Sequence, residues 1–98
     1  MIKMSVFYPK FDMNYYCTKH LTLVQQRLGA ACKGVAIEHG ISGGAPETLP
    51  EYIAMGHVYF DSMDAFAESW GRHIEEFLAD VPNYTDIQPV IQVSEVKV

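Results

Sequence analysis

Residues 51–66 read EYIAMGHVYFDSMDAF, and the fold depends on where this stretch changes from one period to another. Up to Phe60 the residues alternate as a strand does. Met55, His57 and Tyr59 share one face, while Ala54, Gly56, Val58 and Phe60 share the other. Asp61 or Ser62 then offers a helix N-cap, and Asp64 suits the positive end of a helix dipole. The spacing predicts a strand over 51–60 running almost directly into a helix over 63–79.

The flanking segments complete the pattern. MIKMSVFY, residues 1–8, is apolar on both parities, as a central strand covered on both faces would be, and Pro9 is expected to end it. A helix follows, with Asp12 as N-cap and Gly29 as the residue just past its end. KGVAIEHGI, residues 33–41, predicts a second strand, and SGGAPETLP is a polar connection longer than a tight hairpin. DVPNYTD reads as a turn and residues 87–98 as a last strand. Pro89 cannot donate to a ladder, which places that strand at a sheet edge or a bulge. The order βαββαβ predicts an α+β, ferredoxin-like single domain over 1–98: an antiparallel four-stranded sheet with two helices on one face. Neither face of the third strand is cleanly polar, so two sheets packed face to face would form a homodimer.

The composition is 49% hydrophobic and 19% charged, with a net charge of −5, so the chain is globular and carries no cationic surface. Nucleic acid is not an expected partner. No apolar run approaches the ~20 residues that span a bilayer, and the chain opens on a strand rather than a leader, so no membrane is expected and the expected location is cytoplasmic. Cys17 and Cys32 have no ligand-spaced neighbours. They read as free thiols packed like small apolar groups, and no metal is expected.

Two histidines stand out. Met13, Tyr16, Cys17, His20, Val24 and Leu28 follow helical spacing on the first helix, with His20 in mid-stripe. Phe66, Trp70, His73 and Phe77, with Ser69 and Ile74 alongside, do the same on the second helix, and Glu76 is placed to hold His73. If even-numbered strand residues face the helices, Gly34, Ala36, Ala54 and Gly56 leave room beneath them. That combination describes a mostly apolar cleft with a few polar groups, suited to a small ligand. A filled core with two hydrogen-bonded imidazoles fits the same residues. His57, on the other parity, reads as a dimer-interface residue, and His39 as exposed or interfacial. A metal site built from all four histidines is opposed by strand parity. There is no phosphate-binding glycine loop, no serine in a nucleophile context and no cofactor motif, so catalysis would rest on His and Tyr acid–base chemistry.

MIKMSVFYP, FDMNYYCTKHLTLV, GHVYFDSMDAF and PNYTDIQPVIQVSEV together resemble the EthD family, named for ethyl tert-butyl ether degradation. The resemblance covers almost the whole chain. One departure is Thr22, which stands where the family usually has proline two residues after its helix-one histidine. The resemblance implies a dimeric α/β barrel with a cleft in each subunit, and a histidine matching the family motif at His20. Relatives in the broader fold include cofactor-free monooxygenases, isomerases and polyketide cyclases, some with an acid–base histidine matching His73. The expected function is therefore binding of an apolar small molecule, with cofactor-independent oxidoreductase, isomerase or cyclase chemistry in a degradative or secondary-metabolite pathway. His20 and His73 would be catalytic. Tyr16, Ala54, Gly56, Phe66, Ser69, Trp70 and Phe77 would contact the substrate. A non-catalytic metabolite-binding or oxygenase-accessory protein is the alternative.

Overall fold

The computed structural model describes residues 1–8 and 12–98. The expected strand-ending role of Pro9 lies outside the described residues. The strands are β1 (Ile2–Tyr8), β2 (Gly34–His39), β3 (Ala54–Phe60) and β4 (Val90–Glu95). The first helix, α1, spans residues 13–28, and the second, α2, is Met63–Asp80. All strand pairs are antiparallel, in the order β2-β3-β1-β4, so the expected ferredoxin-like α+β fold is the one observed.

Local signals set the helix ends. The Asp12 carboxylate accepts from the Tyr15 N–H at 3.1 Å, and the Ser62 hydroxyl accepts from the Ala65 N–H at 3.1 Å, so Ser62 rather than Asp61 caps α2. α1 closes at Gly29, whose φ of 56° is accessible at little cost only to glycine. Pro89 precedes the first paired residue of β4, which is an edge strand as expected.

α1 is not one regular helix. Tyr16–His20 forms a π-helical turn between Met13–Tyr15 and Leu21–Leu28. Such a turn holds more residues than an α turn. Its widened winding offsets the drift that four-residue spacing otherwise produces, so Tyr16, His20, Val24 and Leu28 all face inward. The Thr18 and Thr22 hydroxyls donate to the carbonyls of Asn14 and Thr18 at 2.6 and 2.7 Å. Cys17, expected in the inward stripe, is exposed, because the stripe follows every fourth residue rather than alternating three and four.

Ile2, Met4, Val6 and Tyr8 of β1 and Ala54, Val58 and Phe60 of β3 form one core with Tyr16, Val24, Leu28 and Phe77 of the helices. Even residues of these two central strands therefore face the helices. β2 does the opposite. Its pairing sets Ile37 beside Gly56 and Val35 beside Val58, while Gly34 and Ala36 lie beside Tyr59 and His57 on the far face. The expectation that Gly34 and Ala36 lie under the helices is thus corrected. Directly opposed residues share a face, and the β2–β3 register pairs odd positions with even ones.

Candidate functional site

Between the helices and the sheet lies a cleft walled by Met4, Val6, Val58, Trp70 and Phe77, with polar atoms from only a few residues. The central strand contributes Tyr8, the π turn contributes Tyr16 and His20, and the turn after α2 contributes Tyr84. All four are buried. The rings pack closely: His20 lies 4.6 Å from Tyr84 and 5.0 Å from Tyr16, and Tyr8 lies 5.2 Å from Tyr16. Gly56 makes this possible. A Cβ there would collide with the Tyr16 hydroxyl, so glycine lets the hydroxyl end of the ring reach the sheet. The free space is about 30 Å³, room for one water-sized group, and Leu78, Pro89 and Ile91 form the rim.

Behind His20, at the end of α2, lies Asp80. His20 Nδ1 is 2.8 Å from one carboxylate oxygen, and the other oxygen accepts from the Tyr15 hydroxyl at 2.7 Å and the Asn83 amide at 2.9 Å. Partial burial works against the Asp80 charge, but the hydrogen bonds from Asn83, Tyr15 and His20 outweigh it and hold its pKa below the usual carboxylate range. An ionised carboxylate only accepts, so Nδ1 carries the proton and Nε2 keeps the lone pair. Among the described residues nothing bonds to Nε2, and no fully occluded side-chain nitrogen or oxygen lacks a partner, so Nε2 opens onto the cleft. Burial lowers the His20 pKa below 6.5, although the Asp80 bond and charge oppose the shift. The fold therefore favours the neutral imidazole, which keeps a lone pair on Nε2. Burial pushes the Tyr8, Tyr16 and Tyr84 hydroxyls up, so all three remain proton donors.

Tyr16, Gly56, Trp70, Phe77 and His20, expected in the site, all line this cleft. Ala54 is fully buried opposite Tyr8, and Phe66 packs edge-on against Phe60 at 5.2 Å, so both support the cleft without lining it. His73 and Ser69 are not brought beside His20. They line a separate, more polar hollow of about 260 Å³ with Arg27 and Arg72. Glu76 does reach His73, at 3.4 Å, but it also pairs with Arg27 at 2.9 Å.

Asp80, Tyr84 and Tyr8 were not picked out from the sequence. A signal existed for Asp80. The inward spacing 66, 70, 73, 77 continues to 80, and a carboxylate at a helix C-terminus opposes the dipole, so another partner must favour it.

A second histidine network lies on the sheet's other face. Ser5 and His57 are opposed across β1 and β3. His57 Nδ1 is 2.8 Å from the Ser5 hydroxyl and Nε2 is 2.9 Å from Glu38. Despite its serine–histidine–acid composition it is no hydrolytic triad. Both nitrogens are occupied, Ser5 is buried, and mid-strand amides committed to the ladder offer no oxyanion hole. Among the described residues no group of three or more His, Cys, Asp or Glu side chains could hold a metal ion, and no helix is long and apolar enough to cross a membrane.

Fold and cleft define a ferredoxin-like α+β domain with a histidine–aspartate pair set in an aromatic wall. The EthD domain matches residues 8–88, and the chain belongs to the EthD family. It is 42% identical to an EthD-like protein of Ralstonia eutropha JMP134, covering 99% of this chain and 92% of that one, with a TM-score of 0.91. An EthD family protein of Bacillus halodurans C-125 shares the fold at 14% identity, with a TM-score of 0.78 and 98% of each chain covered. Comparison with curated proteins gave no match.

Proposed function

We propose that the cleft takes an apolar small molecule and that His20 acts on it as a cofactor-free general base. The observation that carries this reading is the setting of His20: Asp80 holds Nδ1, no bond to Nε2 is found among the described residues, and the ring lines an apolar, tyrosine-bearing cleft. A proton leaving an acidic C–H or O–H bond passes to Nε2. The electron pair moves onto the substrate oxygen, where a protonated tyrosine hydroxyl donates a hydrogen bond. Return of the proton to another atom gives isomerisation or drives a cyclisation. Electron-rich anions of this kind also suit oxidation by oxygen in a degradative pathway. His73 and Ser69 lie in another hollow, so the proton chemistry rests on His20.

The same reading places the protein in the cytoplasm as a homodimer joined through the outer sheet faces. That face carries Phe7, Met55 and Tyr59, partly buried, beside the exposed Val90. Replacing Tyr59 with Lys should then yield a monomer in sedimentation, and an unchanged mass would refute this mode of pairing.

Solvent deuterium exchange into an enolisable ketone such as tetralone tests the chemistry. The protein should accelerate exchange, and His20→Gln should slow it by about 100-fold or more. Equal exchange by both would remove His20 from the chemistry. Binding without exchange by the wild type would favour a non-catalytic metabolite carrier or oxygenase accessory.

A further inference from the structure

We propose that the cleft selects electrically neutral ligands bearing a weakly acidic proton conjugated with an oxygen, as in an enolisable ketone or a phenol, and turns away carboxylates and amines alike. This rests on the reading of the cleft as a small-molecule site, and it narrows the substrate class.

The selection follows from which charges the walls contain. Among the described residues no lysine or arginine lines the cleft. Its polar side chains are Tyr8, Tyr16, Tyr84, Trp70 and His20, none of them a fixed cation, and the Tyr8 and Tyr84 hydroxyls already bond each other at 3.2 Å. A carboxylate entering this wall would lose water and gain no cation, an uncompensated burial. An ammonium fares no better. The nearby negative charge, Asp80, does not line the cleft, and it already accepts from His20, Tyr15 and Asn83. A neutral carbonyl or phenol brings no charge that needs a counter-ion, so its burial here costs far less.

Charge arises only as the reaction proceeds. The substrate C–H or O–H bond breaks, its proton bonds to Nε2, and the electron pair rests on the substrate oxygen as an enolate or phenolate. The new imidazolium then lies between that oxyanion and Asp80, so each negative charge has a cation beside it. A ligand already anionic would carry its charge before the cation existed. The ligand's apolar part must displace the rim, where Leu78 and Ile91 are about half exposed, because the closed space is only about 30 Å³.

The test uses three probes on one ring system: naphthol, naphthoate and naphthylmethylammonium. They are titrated at pH 7 while the indole N–H resonance of Trp70, the chain's single tryptophan and a cleft residue, is followed. Naphthol should bind at least tenfold more tightly than either ion. An ion binding within threefold of naphthol would overturn the selection and leave the cleft reading standing. If no probe moves Trp70, the cleft reading fails and takes the selection with it. Leu78→Lys, at an exposed rim position, then supplies the missing cation. Naphthoate should gain about tenfold while naphthol stays within twofold. No gain for naphthoate would contradict the charge argument even in a fully folded variant.

Discussion

His20 and His57 lie on opposite faces of one sheet, both buried, with a carboxylate oxygen at 2.8 and 2.9 Å respectively. Burial and an acidic partner therefore do not distinguish them. The other nitrogen does. On His57 it is taken by Ser5, and on His20 it opens onto the cleft. The first ring is a cross-link between strands, and in the proposed function the second is a base held in one tautomer. A histidine–carboxylate pair acquires chemistry from what its free nitrogen faces.

The contrast breaks first at Asp80. Asp80→Asn keeps the shape but can present an amide N–H to Nδ1, which would drive the His20 proton onto Nε2 and remove the lone pair from the cleft. Deuterium exchange should fall by about tenfold to 100-fold with little change in ketone binding. An unchanged rate would mean that the tautomer is not what Asp80 supplies.

The pH dependence sharpens the comparison. Because burial lowers the His20 pKa, exchange should be flat at pH 7 and above and decline only as pH falls through a value below 6.5. Stability has a matching sign. The unfolded chain binds a proton near pH 6.5 that the folded chain resists, so stability is full above that pH and drains as pH falls toward the folded-state pKa. His20→Gln should flatten this part of the melting curve. A wild type whose stability rose on acidification from pH 7 would contradict the neutral, buried assignment.

Smaller effects follow in the packing. Gly56→Ala pushes the Tyr16 hydroxyl off the sheet and should cost about 1–3 kcal/mol in denaturant unfolding, with ketone binding weakened as well. Ser5→Ala, on the far face, should cost about 1 kcal/mol and leave exchange unaltered. Loss of exchange in Ser5→Ala would join the two networks that the structure separates.

The elements were legible because their signals are local. Asp12, Ser62 and Gly29 mark helix ends through their own side chains or their lack of one, and the strand 54–60 alternates within itself. The face of β2 was not legible. Its parity depends on pairing with β3 across the long connection of residues 40–53, and a slip of one position exchanges Ala36 for Ile37. The site divides in the same way. His20, Tyr16, Trp70 and Phe77 show in helical spacing, and Gly56 in the parity of one strand. Tyr84 lies in a turn with no period, where a 2.6 Å bond from the Asp12 N–H to its carbonyl ties it to the start of α1. His73 shows the limit of periodicity. It lies on the stripe, yet a spacing rule cannot tell which of two hollows a residue at the stripe's edge will line.

The most direct test of the central claim is nitrogen NMR of the imidazoles, recorded against pH with and without naphthol. At pH 7 His20 should show a protonated Nδ1 and an unprotonated Nε2, with the Nε2 signal moving when naphthol binds. A His20 protonated on Nε2, or an Nε2 signal indifferent to naphthol, would contradict the claim that this nitrogen is the base of the cleft.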